Sequence, residues 1–579
     1  MVIVNNHQNA MDDNQRPGQP RWFSRRRMLQ TAGGASIFAL AGCSGGGGSE
    51  TPTETDAGSG DGGGDDTDDS TPTETETSSD DSMDRRGGSL TVAQAGVPPD
   101  WDPVKGLGVP SSIVGENFFS TLYTYNDGLE LIPNDLATGL PESEREGSRW
   151  IVEIVDDARF HNGDPVTAED VIYTFQAPMD EGSWVASSWN MITEMEAVDE
   201  QTVQFDLEFS YGAFPGALGS MQVVPKAVRE ADPEKFATRE PVGSGPFRFV
   251  DWTENEFVTL ARWDDYWGES TPNLEEVTFV PIPESTTRVT HFKTDDSAIM
   301  QTIPPKLYST VEAIEGSAIA ETPALSYSYL TFNLKEGETT KPEVREAIDY
   351  CFDMDQAVER FVVPSGVRQY QPLPIPTAEA WDMPIEEFES MAVGKDIDRA
   401  KALFEEADVP SNWSCTILCP PDDIRENVCV TVANGIKEAG YDAQVNRLDW
   451  GTYLEKFTTG NPDDYNMYSL GWSVSPDPDY QMYNMYHISG SGANSGHYWN
   501  DEEVMAKIQR SRESVDREER RQLYIDIQRE IISQRVQLPG WNPKEVWAVK
   551  DYVQDFQIHA IPAQNPQVFT SEHNIWVDQ

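Results

Sequence analysis

Apolar residues recur along this chain with two periods. In Ser89-Leu90-Thr91-Val92-Ala93 and in Trp150-Ile151-Val152-Glu153-Ile154-Val155 they alternate with other residues, the pattern of a strand with distinct faces. Thr416-Ile417-Leu418, between Cys415 and Cys419, is a further strand candidate. Elsewhere the spacing is helical. Thr167 stands three residues before Asp170, so each side chain can satisfy a backbone N–H at a helix start, and Val171, Ile172 and Phe175 follow on one face. Thr340-x-x-Glu343 repeats the signal ahead of Val344, Ala347, Ile348 and Cys351, and Asp516-x-x-Glu519 does so ahead of Leu523, Ile527 and Ile531. Strands and helices intermix throughout, which predicts α/β lobes rather than a sandwich or a bundle. The roughly 490 residues from Gly88 onward exceed what one core holds, so two or more lobes are expected.

One apolar run is of another kind. Ala32–Ala41 follows Arg25 and Arg26 and leads into Leu40-Ala41-Gly42-Cys43. It is too short to cross a bilayer, which takes about 20 apolar residues. A basic segment, a short apolar core and small residues make an export signal, and the arginine pair points to the twin-arginine route. The ending looks like a lipobox, where cleavage leaves a lipid-bearing cysteine, here Cys43. Residues 1–43 are therefore expected to be a twin-arginine lipoprotein signal, with the chain held through Cys43 at the outer face of the cytoplasmic membrane. Residues 44–87 are Gly, Ser, Thr, Asp and Glu with almost nothing apolar, a composition that cannot offset its ordering entropy. As a flexible tether it would span roughly 35 Å r.m.s.. No later apolar stretch is long enough to span a membrane.

Charge narrows the function classes. The net charge is −57 over 579 residues, which argues against nucleic acid as a partner and against a surface held to anionic lipid. Acids are spread through the globular part as well as the linker, a device of halophiles, so a protein of a haloarchaeon is expected. Cys351, Cys415, Cys419 and Cys429 lack the histidine spacing of a zinc site and read as buried thiols, although the compartment would permit pairing. No metal and no cofactor are expected. His-Glu-x-x-His, Gly-x-Ser-x-Gly and the Gly-Lys-Ser/Thr phosphate loop are all absent, so the chain is not read as an enzyme.

Ordered sequence blocks then point to a family. They are Trp101-Asp102-Pro103-Val104, Glu116-Asn117 with Leu122-Tyr123, and the stretch Asp157–Val171 containing Phe160-His161-Asn162-Gly163-Asp164-Pro165-Val166-Thr167-Ala168. Pro241–Phe247, Asp265-Tyr266-Trp267-Gly268, Phe332-Asn333 and Val344–Ile348 follow, then Gly471-Trp472 with Asp477-Pro478, and Tyr498-Trp499-Asn500. In this order they resemble the family 5 extracellular solute-binding proteins, the dipeptide and oligopeptide group that serves ABC importers. The resemblance implies a two-lobed α/β clamp of the large periplasmic-binding-protein type, with an extra inserted domain and discontinuous domains joined by a two-strand hinge. Domain I would comprise residues 88–130, 241–325 and 546–579, domain II the insertion 131–240, and domain III residues 326–545. The expected partners are a small solute and ABC permease subunits with cytoplasmic ATPases, for a monomeric receptor that closes on its ligand.

The same resemblance implies a ligand site. Leu107-Gly108-Val109 would offer backbone to a bound peptide from domain I, with Gly471-Trp472 facing it from domain III. Trp450 would line a side-chain pocket, Tyr329 would stand on the strand entering domain III, and Trp184 and Trp189 would approach from domain II. One departure stands out. Peptide-binding members carry an acid for the peptide's amino terminus three residues after the Trp, where this chain has Ser475, and the next acid is Asp477. A buried ammonium without a partner is costly, so either Asp477 takes it or the ligand is of another class, an oligosaccharide being the alternative.

Overall fold

The computed structural model describes residues 85–578; Arg25, Arg26 and Cys43 lie outside the described residues, as does most of the acidic linker. The chain enters through β1 (Ser89–Gln94) and α1 (Val109–Gly115). It then builds an antiparallel sheet from β2 (Glu142–Glu144), β3 (Arg149–Glu153), β4 (Ile192–Ala197) and β5 (Thr202–Leu207), in the order β2-β3-β5-β4, with α2 (Ala168–Glu181) packed on it. The start of α2 follows its sequence signal: Thr167 N donates to Asp170 Oδ2 at 3.0 Å and the reciprocal bond to the Thr167 side chain is present.

The chain next returns to the first sheet with β6 (Phe247–Thr253), β7 (Phe257–Arg262), β8 (Glu276–Pro281), β9 (Ile299–Gln301) and β10 (Ser317–Pro323). It passes through Ala324 and Leu325 into β11 (Ser326–Phe332), then α3 (Pro342–Asp349) and β12 (Gly366–Arg368). An α/β segment follows: β13 (Ser414–Cys419), α4 (Asp423–Glu438), β14 (Asp442–Arg447), α5 (Trp450–Phe457) and β15 (Met467–Ser473). The short α6 (Pro478–Gln481), α7 (Glu502–Glu513) and α8 (Arg517–Ser533) lead to the last long strand, β16 (Gln537–Lys550).

β16 joins everything. The described strands form a twelve-stranded sheet ordered β14-β13-β15-β11-β16-β9-β1-β8-β7-β6, with β10 and β12 also paired to β16. Residues Gln537–Trp541 of β16 pair with β11, while Lys544–Lys550 pair with β10. Two chain segments therefore cross side by side between two halves of one sheet. At the crossing the buried Asn542 side chain donates to the carbonyls of Ala324 and Ser326, each at 2.8 Å, and accepts from Ile375 N at 2.8 Å. Those bonds matter because Pro539 and Pro543 give the strand no N–H on either side.

Both sheet faces are covered on each half, the mark of an α/β sheet. Leu90 and Val92 of β1 and Trp547 of β16 belong to one core, Ala93 and Ala548 to another on the opposite face. In β11, Leu330 and Phe332 face one core while Tyr327 and Tyr329 face the other. One predicted helix start is corrected. The Thr340-x-x-Glu343 signal does not cap α3: Lys341 is the cap residue and Pro342 the first helical residue. Thr340 instead donates its hydroxyl to Gly337 O. Asp516 caps α8 as its sequence suggests, accepting from Glu518 N and Glu519 N. Among the described residues no helix is long and apolar enough to cross a membrane. Cys351, Cys415, Cys419 and Cys429 are buried and free.

Candidate functional site

β13 runs parallel to both β14 and β15, so the three strands end at one edge, at Cys419, Arg447 and Ser473. α4 and α5 begin at that edge, capped by Asp422 and Asp449. In open α/β sheets ligands bind outside such carboxyl ends. Trp450 is the first residue of α5, half-buried, its ring stacked on Tyr453 at 5.6 Å and 11°. Trp472 is half-buried on β15, and its indole Nε1 has no hydrogen-bond partner.

Gly471 lets the Arg425 guanidinium lie over the β15 backbone. A Cβ there would lie 2.3 Å from Arg425 Nη2 and 3.2 Å from the carbonyl oxygen of Tyr327. Arg425, in the first turn of α4, donates from Nη2 to Ser328 Oγ at 3.2 Å and has Asp422 3.6 Å from Nη1. Its Nε is buried without a partner, an expensive state for a guanidinium donor unless something else completes it. The edge thus carries one incompletely satisfied cation, an unpartnered indole N–H and two half-open aromatic faces.

Leu107, Gly108 and Val109 lie at the start of α1, half-exposed, with Gly108 extended at φ −76° and ψ 164°. Among the described residues they share no hydrogen bond with Gly471 or Trp472. Trp184 from the insertion is 44% exposed and lies against Gly106, where a Cβ would come within 2.5 Å of its Nε1, so it borders this segment. Trp189 does not. It is buried, edge-on to Phe175 at 5.3 Å, with Nε1 donating to Ala217 O. Tyr329 is likewise core rather than lining, fully buried with its hydroxyl on Met485 Sδ. Just beyond α1, burial pushes the Glu116 carboxyl up to about 7 against the hydrogen bond from Gln222 at 2.6 Å.

The family model of bacterial extracellular solute-binding proteins, family 5 (middle), matches residues 132–493. The chain belongs to this family. Oligopeptide-binding protein AppA of Bacillus subtilis (strain 168) is 24% identical over 507 residues, 82% of this chain and 90% of that protein. Among solved structures, HbpA2 from Haemophilus parasuis aligns with a TM-score of 0.74 at 18% identity, covering 85% of this chain and all of the other. The periplasmic binding protein DppA from Helicobacter pylori, solved with the peptide STSA, aligns with a TM-score of 0.66 at 21% identity over 86% of this chain. These likenesses show the fold, a periplasmic-binding-protein α/β clamp with an extra domain. As a family 5 solute-binding protein the chain is a receptor of the kind that serves ABC transporters, and not an enzyme.

In this family 5 protein the acid stretch after Trp472 is already occupied. Asp477 caps α6, accepting from Asp479 N at 2.9 Å, and takes Arg520 Nη2 at 2.5 Å. Both contacts fall on Oδ1, and Arg520 already supplies the counter-charge of this carboxylate. Ser475 Oγ accepts from Asp477 N at 3.4 Å and bonds the Tyr125 hydroxyl. Asp479 accepts from the Tyr211 hydroxyl at 3.0 Å, with Arg512 3.7 Å away; burial raises its carboxyl above the usual range and Arg512 opposes that. For an ion, Asp127, Glu572 and His573 approach one another on the surface, where His573 Nε2 already contacts Asp127 at 2.9 Å. Sequence reasoning missed Arg425, although the signal was there: an Asp-x-x-Arg helix start directly after a buried strand.

Proposed function

We propose that this chain is the extracellular receptor of an ABC importer, capturing a peptide-class solute at the edge formed by Arg425, Trp450 and Gly471-Trp472, with Leu107–Val109 closing over it. The observation that carries this reading is Arg425. A guanidinium with an unpartnered N–H, lying over Gly471 at the carboxyl edge of the strands, suits a ligand carboxylate that reaches it when the cleft is open. The names of relatives support the same class, since AppA is an oligopeptide-binding protein and the DppA structure holds a peptide. Opening and closing would turn on the β10–β11 and β16 crossing, with domain I as residues 88–130, 241–325 and 546–579, domain II as 131–240 and domain III as 326–545. Export through Arg25 and Arg26, a lipid on Cys43 and an acidic surface for high salt complete the proposal, as for a haloarchaeal lipoprotein.

Mass spectrometry of the small molecule that co-purifies with the protein, followed by calorimetric titration against a tetrapeptide library and a neutral oligosaccharide panel, tests it. A carboxylate-bearing peptide that binds wild type and is weakened by Arg425→Met fits. Sugar binding indifferent to that substitution overturns the peptide class. Cys43→Ser should release the protein from the membrane or leave it unprocessed, and unchanged retention would remove the anchor from the proposal.

A further inference from the structure

Several contacts join the insertion to the α7–α8 region. Gly212 N donates to Arg512 O at 3.0 Å, and a Cβ on Gly212 would sit 1.8 Å from Ser514 O. Arg520 Nη1 donates to Gly212 O at 3.4 Å. A Cβ on Gly147 would lie 2.5 Å from Val515 Cγ1. Backbones approach this closely only where two surfaces are docked.

The acids after Trp472 lie in the same dock. Asp479 holds Tyr211 of the insertion and faces Arg512, whose guanidinium lies 3.8 Å from the Tyr483 ring centroid and 4.8 Å from that of Tyr211. Asp477 holds Arg520, which also bonds the Tyr524 hydroxyl at 2.9 Å and Ser511 O at 3.1 Å and is 5% exposed. Two carboxylates therefore meet two guanidiniums. Both bonds to Asp477 fall on Oδ1, so an ammonium arriving at Oδ2 would share a carboxylate that Arg520 already neutralises and would stand close to that guanidinium.

We propose that Asp477 and Asp479 form, with Tyr211, Arg512 and Arg520, a clasp between the inserted region and the α7–α8 connection, and that the ligand site beside them reads no α-ammonium. Peptides with a blocked amino terminus are then ligands on equal terms with free ones, and the recognised charge is the carboxylate. This rests on the peptide reading above. It also makes domain II a working part of closure, since the clasp forms only when its Phe209–Gly212 segment meets Arg512–Ser514.

The test uses the whole protein and two matched probes, a tetrapeptide library with free amino termini and the same library N-acetylated. The expected result is dissociation constants equal within about threefold. A loss of tenfold or more on acetylation, with the free library bound, overturns this inference and leaves the peptide reading standing. Binding of neither library overturns both. Tyr211→Phe, which removes one hydroxyl, is expected to weaken both libraries by the same factor of about 3–10 with the melting temperature little changed. A loss confined to free peptides would mean that the acids serve the ligand after all, and an unchanged affinity for both would remove the clasp.

Discussion

Two neighbouring stretches of the chain, the end of β15 and the turn into α6, behave oppositely. At Gly471-Trp472 polar groups are left over: the Trp472 indole N–H, the Arg425 Nε and half-open aromatic faces, all at the carboxyl edge of parallel strands. At Ser475–Asp479 the charges are matched: Asp477 is paired to Arg520 of α8, Asp479 faces Arg512 of α7 and accepts from the Tyr211 hydroxyl, and Ser475 bonds the Tyr125 hydroxyl, with Asp479 Oδ1 the buried oxygen left over. Formal charge suggests the reverse, since the second stretch carries the acids and the first carries none. What separates the two stretches is how completely each charge is matched rather than its formal sign. A buried cation short of acceptors has capacity for a ligand acid once it is uncovered, whereas an acid already neutralised by an arginine has little left for a ligand amine.

The sharpest way to break this comparison is Gly212→Ala. Its added methyl would meet a backbone carbonyl at 1.8 Å, which no rotamer change can relieve, so the dock must open. Affinity for every ligand should fall by roughly 100-fold or more in calorimetry, because a closed state that is hard to reach taxes binding by its lost population. Next comes Arg425→Met, which keeps the apolar stem and removes the charge. Hydrogen bonds to charged groups are worth about 1.5–3 kcal/mol, so carboxylate-bearing ligands should lose about 10–100-fold, while the amide-capped version of the same peptide should lose little. Trp450→Ala is smaller, about 3–10-fold, since one stacked face contributes about 0.5–1.5 kcal/mol beyond its area; titration of peptides differing in one side chain would show it.

The mildest change tests a third kind of buried charge. Glu116 has a glutamine for a partner and no cation, and burial holds its carboxyl up to about 7 from 4.5. A raised folded-state value means that the folded protein retains the proton. The associated stability is present below about 4.5 and lost as pH rises through about 7. Glu116→Gln should therefore leave the melting temperature unchanged near pH 4 and raise it by a few degrees at pH 8, about 2 kcal/mol given about 1.4 kcal/mol per pKa unit and some solvent access. An equal effect at both values would show that the charge is solvated.

How much of this was legible in the sequence follows the range of each interaction. Local signals read through. The Thr167–Asp170 box and the Asp516 cap form within four residues, and the alternation of Leu90 and Val92 marks a real strand. Thr340-x-x-Glu343 failed because Pro342 can begin a helix without its N–H, which moved the start one residue along. Aromatic candidates divided by facts no local pattern carries. Tyr329 and Trp472 lie on paired neighbouring strands, yet the first is sealed in a core and the second half-open. Asp477 looked free because its partner, Arg520, arrives 43 residues later on another helix. The leftover donor on Arg425 is visible only once every other donor nearby has been matched.

β16 has a consequence for how the molecule comes apart. Its fourteen residues are flanked by β11 on one half and β9 and β10 on the other, so the same backbone supplies an inner rung to both ladders. Neither half can fray to completion while the other keeps its full set of rungs, and neither can be cut out as an autonomous piece without taking a central strand from its neighbour. Heat or denaturant should therefore melt the two lobes in one transition rather than two, and the slowest-exchanging amides should cluster along Gln537–Lys550 instead of dividing between separate cores. The strand that joins the two halves of the sheet is also the reason they stand or fall together.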